Sequence, residues 1–217
     1  MVTQASTTQT GTPSSAQSKH DPLAAIRPDM NQLNEVIRQT LHSEVPLVNQ
    51  ISEYLISAGG KRLRPAIHLL LTRALQNACP HSAYTLAAVV EFIHTSTLLH
   101  DDVVDESDLR RGRQTANAMF GNAASVLVGD FLYSRSFQMM VSVQSMRVME
   151  ILADATNVIA EGEVLQLLNV HDPDVTEARY MQVIHYKTAR LFEASAQLAA
   201  VMSGCTAEQE ALCAAYG

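Results

Sequence analysis

The chain has 217 residues, with 15 basic and 22 acidic side chains and a net charge of −7. An acidic chain of this kind is a poor general partner for nucleic-acid phosphates or for anionic membrane surfaces. Hydrophobic residues make up 47% and aromatics 5%, with no Trp, which favours closely packed helices over a β-sandwich.

Residues 1–20 contain nine Ser or Thr and three Gln. Such a stretch cannot offset its ordering entropy, so a disordered tail is expected, followed by one domain at 21–217. Residues 30–41 place Leu33, Val36, Ile37 and Leu41 at helical spacing, and 45–58 repeat the pattern with Val48, Ile51 and Leu55. Gly59 and Gly60 stop that helix, because glycine takes the left-handed conformation at a helix C-terminus. Pro65 opens the next helix, to residue 77. Ser82 is expected to cap a long helix that reaches 104. Residues 106–116 are polar, contain Gly112 and read as a loop. Alanine-rich helices follow at 121–145 and 145–169, then a turn at 171–174. Asp174 and Thr176 offer caps for a helix that bends or restarts near Tyr186 and continues to 203. Gly204 breaks it, and 207–216 form another. Segments 121–130 and 191–202 are apolar around nearly their whole girth, as in helices inside a larger bundle. The expected fold class is all-α. The chain stops at Gly217 within a helical pattern and without a cap, as a truncated chain would.

Cys79, Cys205 and Cys213 form no CxxC pair, which argues against a disulfide framework or a cysteine zinc site and for a reducing, cytoplasmic setting. No uncharged apolar run reaches the ~18 residues of a membrane span. The longest candidate, 83–99, is interrupted by Glu91 and His94.

Two segments stand out chemically. The first is His100-Asp101-Asp102-Val103-Val104-Asp105-Glu106. Asp101 and Asp105, four apart on a helix, share a face and repel. They also lie at a helix C-terminus, where the dipole disfavours them. Hard cations bridging to phosphate oxygens would relieve both conflicts, and magnesium prefers such ligands. A solvated acidic helix end is the plain alternative, but the apolar run that leads into the acids speaks against surface decoration. The second is Gly59-Gly60-Lys61-Arg62-Leu63-Arg64-Pro65. Three cations before a helix N-terminus make an anion site, with a basic loop as the ordinary alternative. Arg110 and Arg111 add two more forks. His94 lies two turns before Asp101, roughly on the same side, and is by itself better explained as a hydrogen-bonded core residue. Lys187 and Thr188, taken alone, read as a surface pair.

In that order and spacing, GGKRLRP, EFIHTSTLLHDDVVDESDLRRG and YKTARLFEASA resemble the trans-prenyl diphosphate synthases. NAASVLVGDFLYSRSFQMM and NVIAEGEVLQLLNV resemble its bacterial long-chain, octaprenyl branch. The resemblance implies a helical bundle of the isoprenoid synthase type around a central cavity, a homodimer, and a product used for isoprenoid or quinone side chains. It implies that Asp101 and Asp105, supported by Asp102, hold magnesium against an allylic diphosphate such as farnesyl diphosphate. Arg110, Lys187 and Thr188 would grip that diphosphate. Lys61, Arg64, His94 and Arg111 would hold isopentenyl diphosphate. Ser96 and Thr97, about 6–8 Å along the helix from Asp101, and Phe92, about 13 Å away, would set product length. The small residues at 96 and 97 point to a long product.

The family's second aspartate-rich motif has no counterpart in these 217 residues. The chain is therefore expected to be the N-terminal part of a synthase, or else a non-catalytic partner subunit or inactive fragment of one. A magnesium-dependent terpene cyclase is disfavoured by GGKRLRP, and a generic helical interaction module leaves the ordered motifs unexplained.

Overall fold

A computed structural model describes residues 23–217. The Ser/Thr/Gln-rich stretch at 1–20 lies outside the described residues. A short 3-10 turn, Ala24–Ile26, leads into α1 (Arg27–Leu41), whose buried stripe is Leu33, Val36, Ile37 and Leu41. Helix α2 (Pro46–Ala58) opens on proline, whose fixed φ suits a first turn, and ends at Gly59 with φ of 65°. Helix α3 (Leu63–Gln76) starts directly after Arg62, itself in the left-handed region. Two residues earlier than a start at Pro65, this places Arg64 in the first turn.

Helix α4 (His81–Val104) is the centre of the molecule. It begins at Pro80 rather than at a Ser82 cap. Pro80 holds an extended conformation and its carbonyl accepts the Ala83 N–H at 2.9 Å, so Ser82 falls inside the first turn. Leu86, Val89, Val90, Ile93 and Leu99 are closed to solvent, and α1, α3, α6 and α9 pack around them. Burying each such side chain contributes about 1.5–3 kcal/mol.

The segment expected to be a loop at 106–116 is more ordered than its polarity suggests. Strands β1 (Leu109–Arg110) and β2 (Arg113–Gln114) pair antiparallel through a turn in which Arg111 and Gly112 both have positive φ. Two consecutive left-handed residues match the twist of a tight hairpin. Thr115 then caps α5 (Ala116–Phe120) by accepting the Ala118 N–H.

Helices α6 (Asn122–Ser142) and α7 (Met146–Asn169) follow, the latter capped by Ser145. Thr176 caps α8 (Glu177–Ile184). The expected bend near Tyr186 is a single π-helical turn, His185–Ala189, which runs on into α9 (Arg190–Met202). Thr206 and Gln209 form a capping box at the start of α10 (Ala207–Tyr216).

Two polar ties fix the helices around α4. Buried Asp29 of α1 accepts from Arg73 of α3 at 2.5 Å and from the Tyr84 hydroxyl of α4 at 2.9 Å. Burial, and then this carboxylate, push the Tyr84 phenol up to about 12. His68 of α3 is closed to solvent, and its Nδ1 donates to the Ser195 carbonyl of α9 at 3.0 Å.

Candidate active site

Helix α4 separates two cavities. The first, of about 670 Å³, gathers cations from distant parts of the chain: Lys61, Arg62 and Arg64 from the start of α3, and Arg110 and Arg111 from the hairpin. His94 and Glu91 of α4 face it as well. Arg64 stacks on the Phe192 ring with its guanidinium carbon 4.4 Å from the centroid, and donates weakly to the Thr188 carbonyl at 3.5 Å. Arg111 donates to the Gly59 carbonyl at 2.9 Å, which ties the hairpin tip to the glycine loop.

Burial lowers the Arg64 pKa, with Glu91 opposing it. His94 is held down to about 3, first by burial and then by Arg64, Arg111 and Arg110. Its imidazole is therefore neutral at any ordinary pH and serves as a hydrogen-bonding group rather than a charge. Burial raises the Glu91 pKa despite the attraction of Arg62, Arg64 and Arg111. Arg62 stands 3.9 Å from Glu91 and also bonds Asn34 of α1. A pocket rich in guanidinium groups, with half-buried Glu91 and buried Asp102 as its acids, is suited to a multiply charged anion.

The second cavity, of about 480 Å³, has a different character. Asp101, Asp105 and Glu163 sit at one end, while Ile93, Tyr133 and Ile159 supply walls further along. Asp101 and Ile93 are eight residues apart, so the cavity extends about 12 Å along α4. Ser96 and Thr97 both line it. Ser96 is buried and donates to the Gly129 carbonyl of α6 at 2.9 Å.

Phe92 is placed differently from expectation. It lines the basic cavity, not the one beneath Asp101. Nine residues of α-helix are two and a half turns, which turns Phe92 to the opposite side of α4 from Asp101. Rise alone had suggested a floor position, but phase decides the face. His94 lines the basic cavity with Leu98 and Asp102, one strip around the helix from Asp101.

Asp101 Oδ2 lies 3.2 Å from the Lys187 ammonium, which also lies 2.6 Å from Glu163 of α7. Lys187 is thus not a surface cation, as local spacing alone suggests, but the bridge between two partly buried carboxylates. Burial pulls its pKa down, and Glu163 and Asp101 more than reverse that, so the ammonium form is reinforced. Burial raises the Asp101 pKa, Lys187 opposes, and Asp105 adds to the rise. Glu163 is raised for the same first reason. Thr188 follows in the same π turn, and its side chain lines neither of the two cavities.

Asp102 is buried and takes a bidentate grip from Arg110, with contacts of 2.7, 3.0 and 3.2 Å. That bond raises the Arg110 pKa, with Asp101 and Asp105 contributing from the other side. Arg110, expected beside the allylic group, therefore lines the basic cavity with its fork held by Asp102. His100, next to the acids, donates from Nε2 to the Val126 carbonyl at 3.2 Å and stands 3.3 Å from Asp130.

Glu91 and Glu163 escaped the sequence reading. Glu91 is the single acid within the apolar run 83–99, whereas Glu163 shares α7 with Glu150, Asp154 and Glu161, and the partners of both are far away in the chain. For Glu91 the available signal is that isolation, since a buried carboxylate needs a cation nearby, and for Glu163 the sequence offers none.

The chain is similar in sequence and fold to known proteins. It is 59% identical over 189 residues to octaprenyl diphosphate synthase of Escherichia coli strain K12, covering 87% of this chain and 58% of that protein. A decaprenyl diphosphate synthase from Rhodobacter capsulatus superposes with a TM-score of 0.86 at 48% identity, covering 89% of this chain and 60% of the other. A polyprenyl synthase from Caulobacter crescentus CB15, complexed with calcium and isoprenyl diphosphate, gives 0.84 at 46% identity, over 88% and 58%. The chain thus spans about three-fifths of the length of these relatives. The polyprenyl synthetase model matches residues 45–217. With the family model, the sequence and the fold in agreement, the chain belongs to the polyprenyl synthetase family.

Proposed function

We propose that this chain carries the first aspartate motif and the isopentenyl diphosphate pocket of a long-chain trans-polyprenyl diphosphate synthase. The reaction joins an allylic diphosphate, such as farnesyl diphosphate, to successive isopentenyl diphosphates, with an octaprenyl product as the leading reading. One observation carries the proposal: a basic cavity and an acid-ended apolar cavity share the wall formed by α4, with Asp102 in the first and Asp101 in the second.

In this reading the basic cavity holds isopentenyl diphosphate through Lys61, Arg64 and Arg111, with neutral His94 as a hydrogen-bonding partner. The apolar cavity holds the prenyl tail of the allylic substrate, with its diphosphate at the acid end. The allylic C–O bond breaks and its electron pair leaves with the diphosphate. The isopentenyl double bond then attacks the allylic carbon, forming the new C–C bond, and loss of a proton restores a double bond. Lys187 and Arg110 stabilise the departing charge, a catalytic device that works best in a site with little water. Apolar walls such as Ile93 and Ile159 shield the cationic carbon.

Among the described residues, no three His, Cys, Asp or Glu groups converge as a ready metal cage. Two carboxylates at a helix end nevertheless suit magnesium, which keeps waters and takes substrate phosphate oxygens rather than a full protein cage. Asp101 and Asp105 are the residues that would hold it, and bound magnesium supplies charge neutralisation for the leaving diphosphate. The homodimer and the cytoplasmic setting belong to the same proposal. Among the described residues no helix is long and apolar enough to cross a membrane.

The test is incubation of the chain with farnesyl diphosphate and labelled isopentenyl diphosphate, with and without magnesium. Magnesium-dependent prenyl products longer than twenty carbons, lost in Asp101→Asn, support the reading. Binding of both diphosphates without turnover would move it to a partner subunit or an incomplete enzyme. Failure to bind either would refute it.

A further inference from the structure

Lys187 depends on an irregular turn. Its ammonium reaches Glu163 at 2.6 Å and Asp101 at 3.2 Å from the π-helical turn His185–Ala189. One extra residue in a turn rotates everything beyond it by about 100° relative to a regular α-helix. The aim of Lys187 therefore depends on where that turn is seated, and its seat is α7.

Gly162 of α7 touches the turn. A Cβ built on Gly162 would stand 2.7 Å from the Tyr186 Cβ, 2.9 Å from the Lys187 backbone N and 3.2 Å from the Tyr186 carbonyl carbon. None of these is the far end of a flexible side chain. Any residue other than glycine at 162 must push the π turn away from α7. The next residue, Glu163, supplies the shorter of the two contacts to Lys187. One step of α7 thus offers a flat surface for the backbone of the turn and a counter-ion for its side chain.

We infer that Gly162 and Glu163 form a positioning pair for Lys187: the missing Cβ sets the depth of the π turn, and the carboxylate sets the direction of the ammonium. With both in place, Lys187 stays within reach of Asp101. Glu163 borders the acid end of the apolar cavity, and the role assigned here to both residues runs through Lys187. The inference deepens the proposed function, and its first test does not rest on that function.

The sequence holds three lysines, Lys19, Lys61 and Lys187. Acetylation of each by acetic anhydride can be followed by peptide mass in the full chain. An ammonium held by two carboxylates reacts slowly, and exposed Lys61 is the internal reference. Gly162→Ala and Glu163→Gln are expected to raise the Lys187 rate relative to Lys61 by about tenfold, the scale of a coupling between contacting residues, while far-UV circular dichroism stays that of the parent. An unchanged ratio in the folded variants overturns the inference. If Gly162→Ala does not fold, Glu163→Gln decides the point alone.

The second readout is calorimetric binding of inorganic diphosphate in magnesium. Each substitution should weaken it about tenfold with Lys187 present and less than about twofold in a Lys187→Ala background. Equal losses in both backgrounds would mean a merely structural role and overturn the inference. A parent chain that binds no diphosphate would count against the functional reading, and the acetylation result would still decide the positioning.

Discussion

Asp101 and Asp102 are consecutive on α4, yet their carboxylates serve different cavities. Asp101 meets Lys187 at the acid end of the apolar cavity, whereas Asp102 turns to the basic side and is gripped by Arg110 at 2.7 Å. One turn of helix spends 100° per residue, and that rotation lets two neighbouring acids organise two adjoining sites.

The two acids are predicted to respond oppositely to substitution. Burial raises the Asp101 pKa in the folded chain, so its ionised form costs stability at neutral pH. Asp101→Asn should leave the melting temperature unchanged or higher while abolishing magnesium-dependent diphosphate binding. Asp102→Asn breaks a bidentate pair whose acid is buried and whose arginine is 39% exposed. Allowing for that exposure, the loss is about 1–3 kcal/mol, or roughly 3–9 °C in melting temperature. Thermal unfolding of both variants checks the contrast; a fall in Asp101→Asn as large as that in Asp102→Asn would contradict it.

Arg64 is predicted to be irreplaceable by lysine. Its planar guanidinium stacks 4.4 Å from the Phe192 centroid while one edge reaches the Thr188 carbonyl. A point ammonium can keep the charge but not the stacked fork. Both Arg64→Lys and Arg64→Gln should weaken isopentenyl diphosphate binding, the latter by about tenfold to a hundredfold, as for a lost charge-assisted hydrogen bond. Calorimetric titration that finds Arg64→Lys equal to the parent would remove geometry from the account of this pocket.

Product length should follow helix phase. Thr97→Phe adds an aromatic ring to the cavity beneath Asp101 and should shorten the longest product. Phe92→Ala, on the other side of α4, should leave length unchanged and cost about 3–5 kcal/mol of stability as a core truncation. Ser96→Phe should mainly destabilise, because Ser96 is buried against the Gly129 carbonyl. Chromatography of the products formed by the chain, or by a full-length relative bearing the equivalent changes, decides between phase and rise.

Stability should fall in mild acid because of His68. Burial holds its pKa down to about 4 in the folded chain, whereas the unfolded chain protonates near pH 6.5. Between these values the unfolded state binds more protons, so stability is full above about 6.5 and declines as pH drops toward about 4. The whole effect is about 3 kcal/mol. His94, held down to about 3, works in the same direction. The raised carboxylates Asp101, Glu91 and Glu163 oppose it at and above their ordinary range, because the folded chain takes up their protons first as pH falls. Urea unfolding of the parent and of His68→Gln across pH 7.5 to 4.5 isolates the term. Parallel curves for the two proteins would show that His68 does not titrate differently on folding.

Much of this architecture was legible because it is local. Leu33, Val36, Ile37 and Leu41 repeat at helical spacing, and Gly59 ends its helix through a backbone preference that needs no tertiary partner. The acids at 101 and 105 declare themselves through charge conflict at a helix C-terminus, and the cations at 61 and 64 through their clustering before a helix N-terminus. What was missed depends on distant contacts or on exact phase. The hairpin at 109–114 is held by Arg111 reaching Gly59 and by the Tyr54 hydroxyl donating to the Gln114 carbonyl. Neither contact has a signature in a short polar run. Glu163 and Lys187 are 24 residues apart, and the π turn that joins them is invisible to a 3.6-residue period. Phe92 was placed by distance along α4 when its angle around the helix was the deciding coordinate.

The most direct test of the two-cavity account is equilibrium binding of isopentenyl diphosphate and farnesyl diphosphate to the chain, each with and without magnesium. Isopentenyl diphosphate should bind without magnesium and be weakened by Arg64→Gln but not by Asp101→Asn. Farnesyl diphosphate should need magnesium and respond in the opposite pattern. Competition of the two ligands for one site, or equal sensitivity of both to the same substitution, would contradict the account.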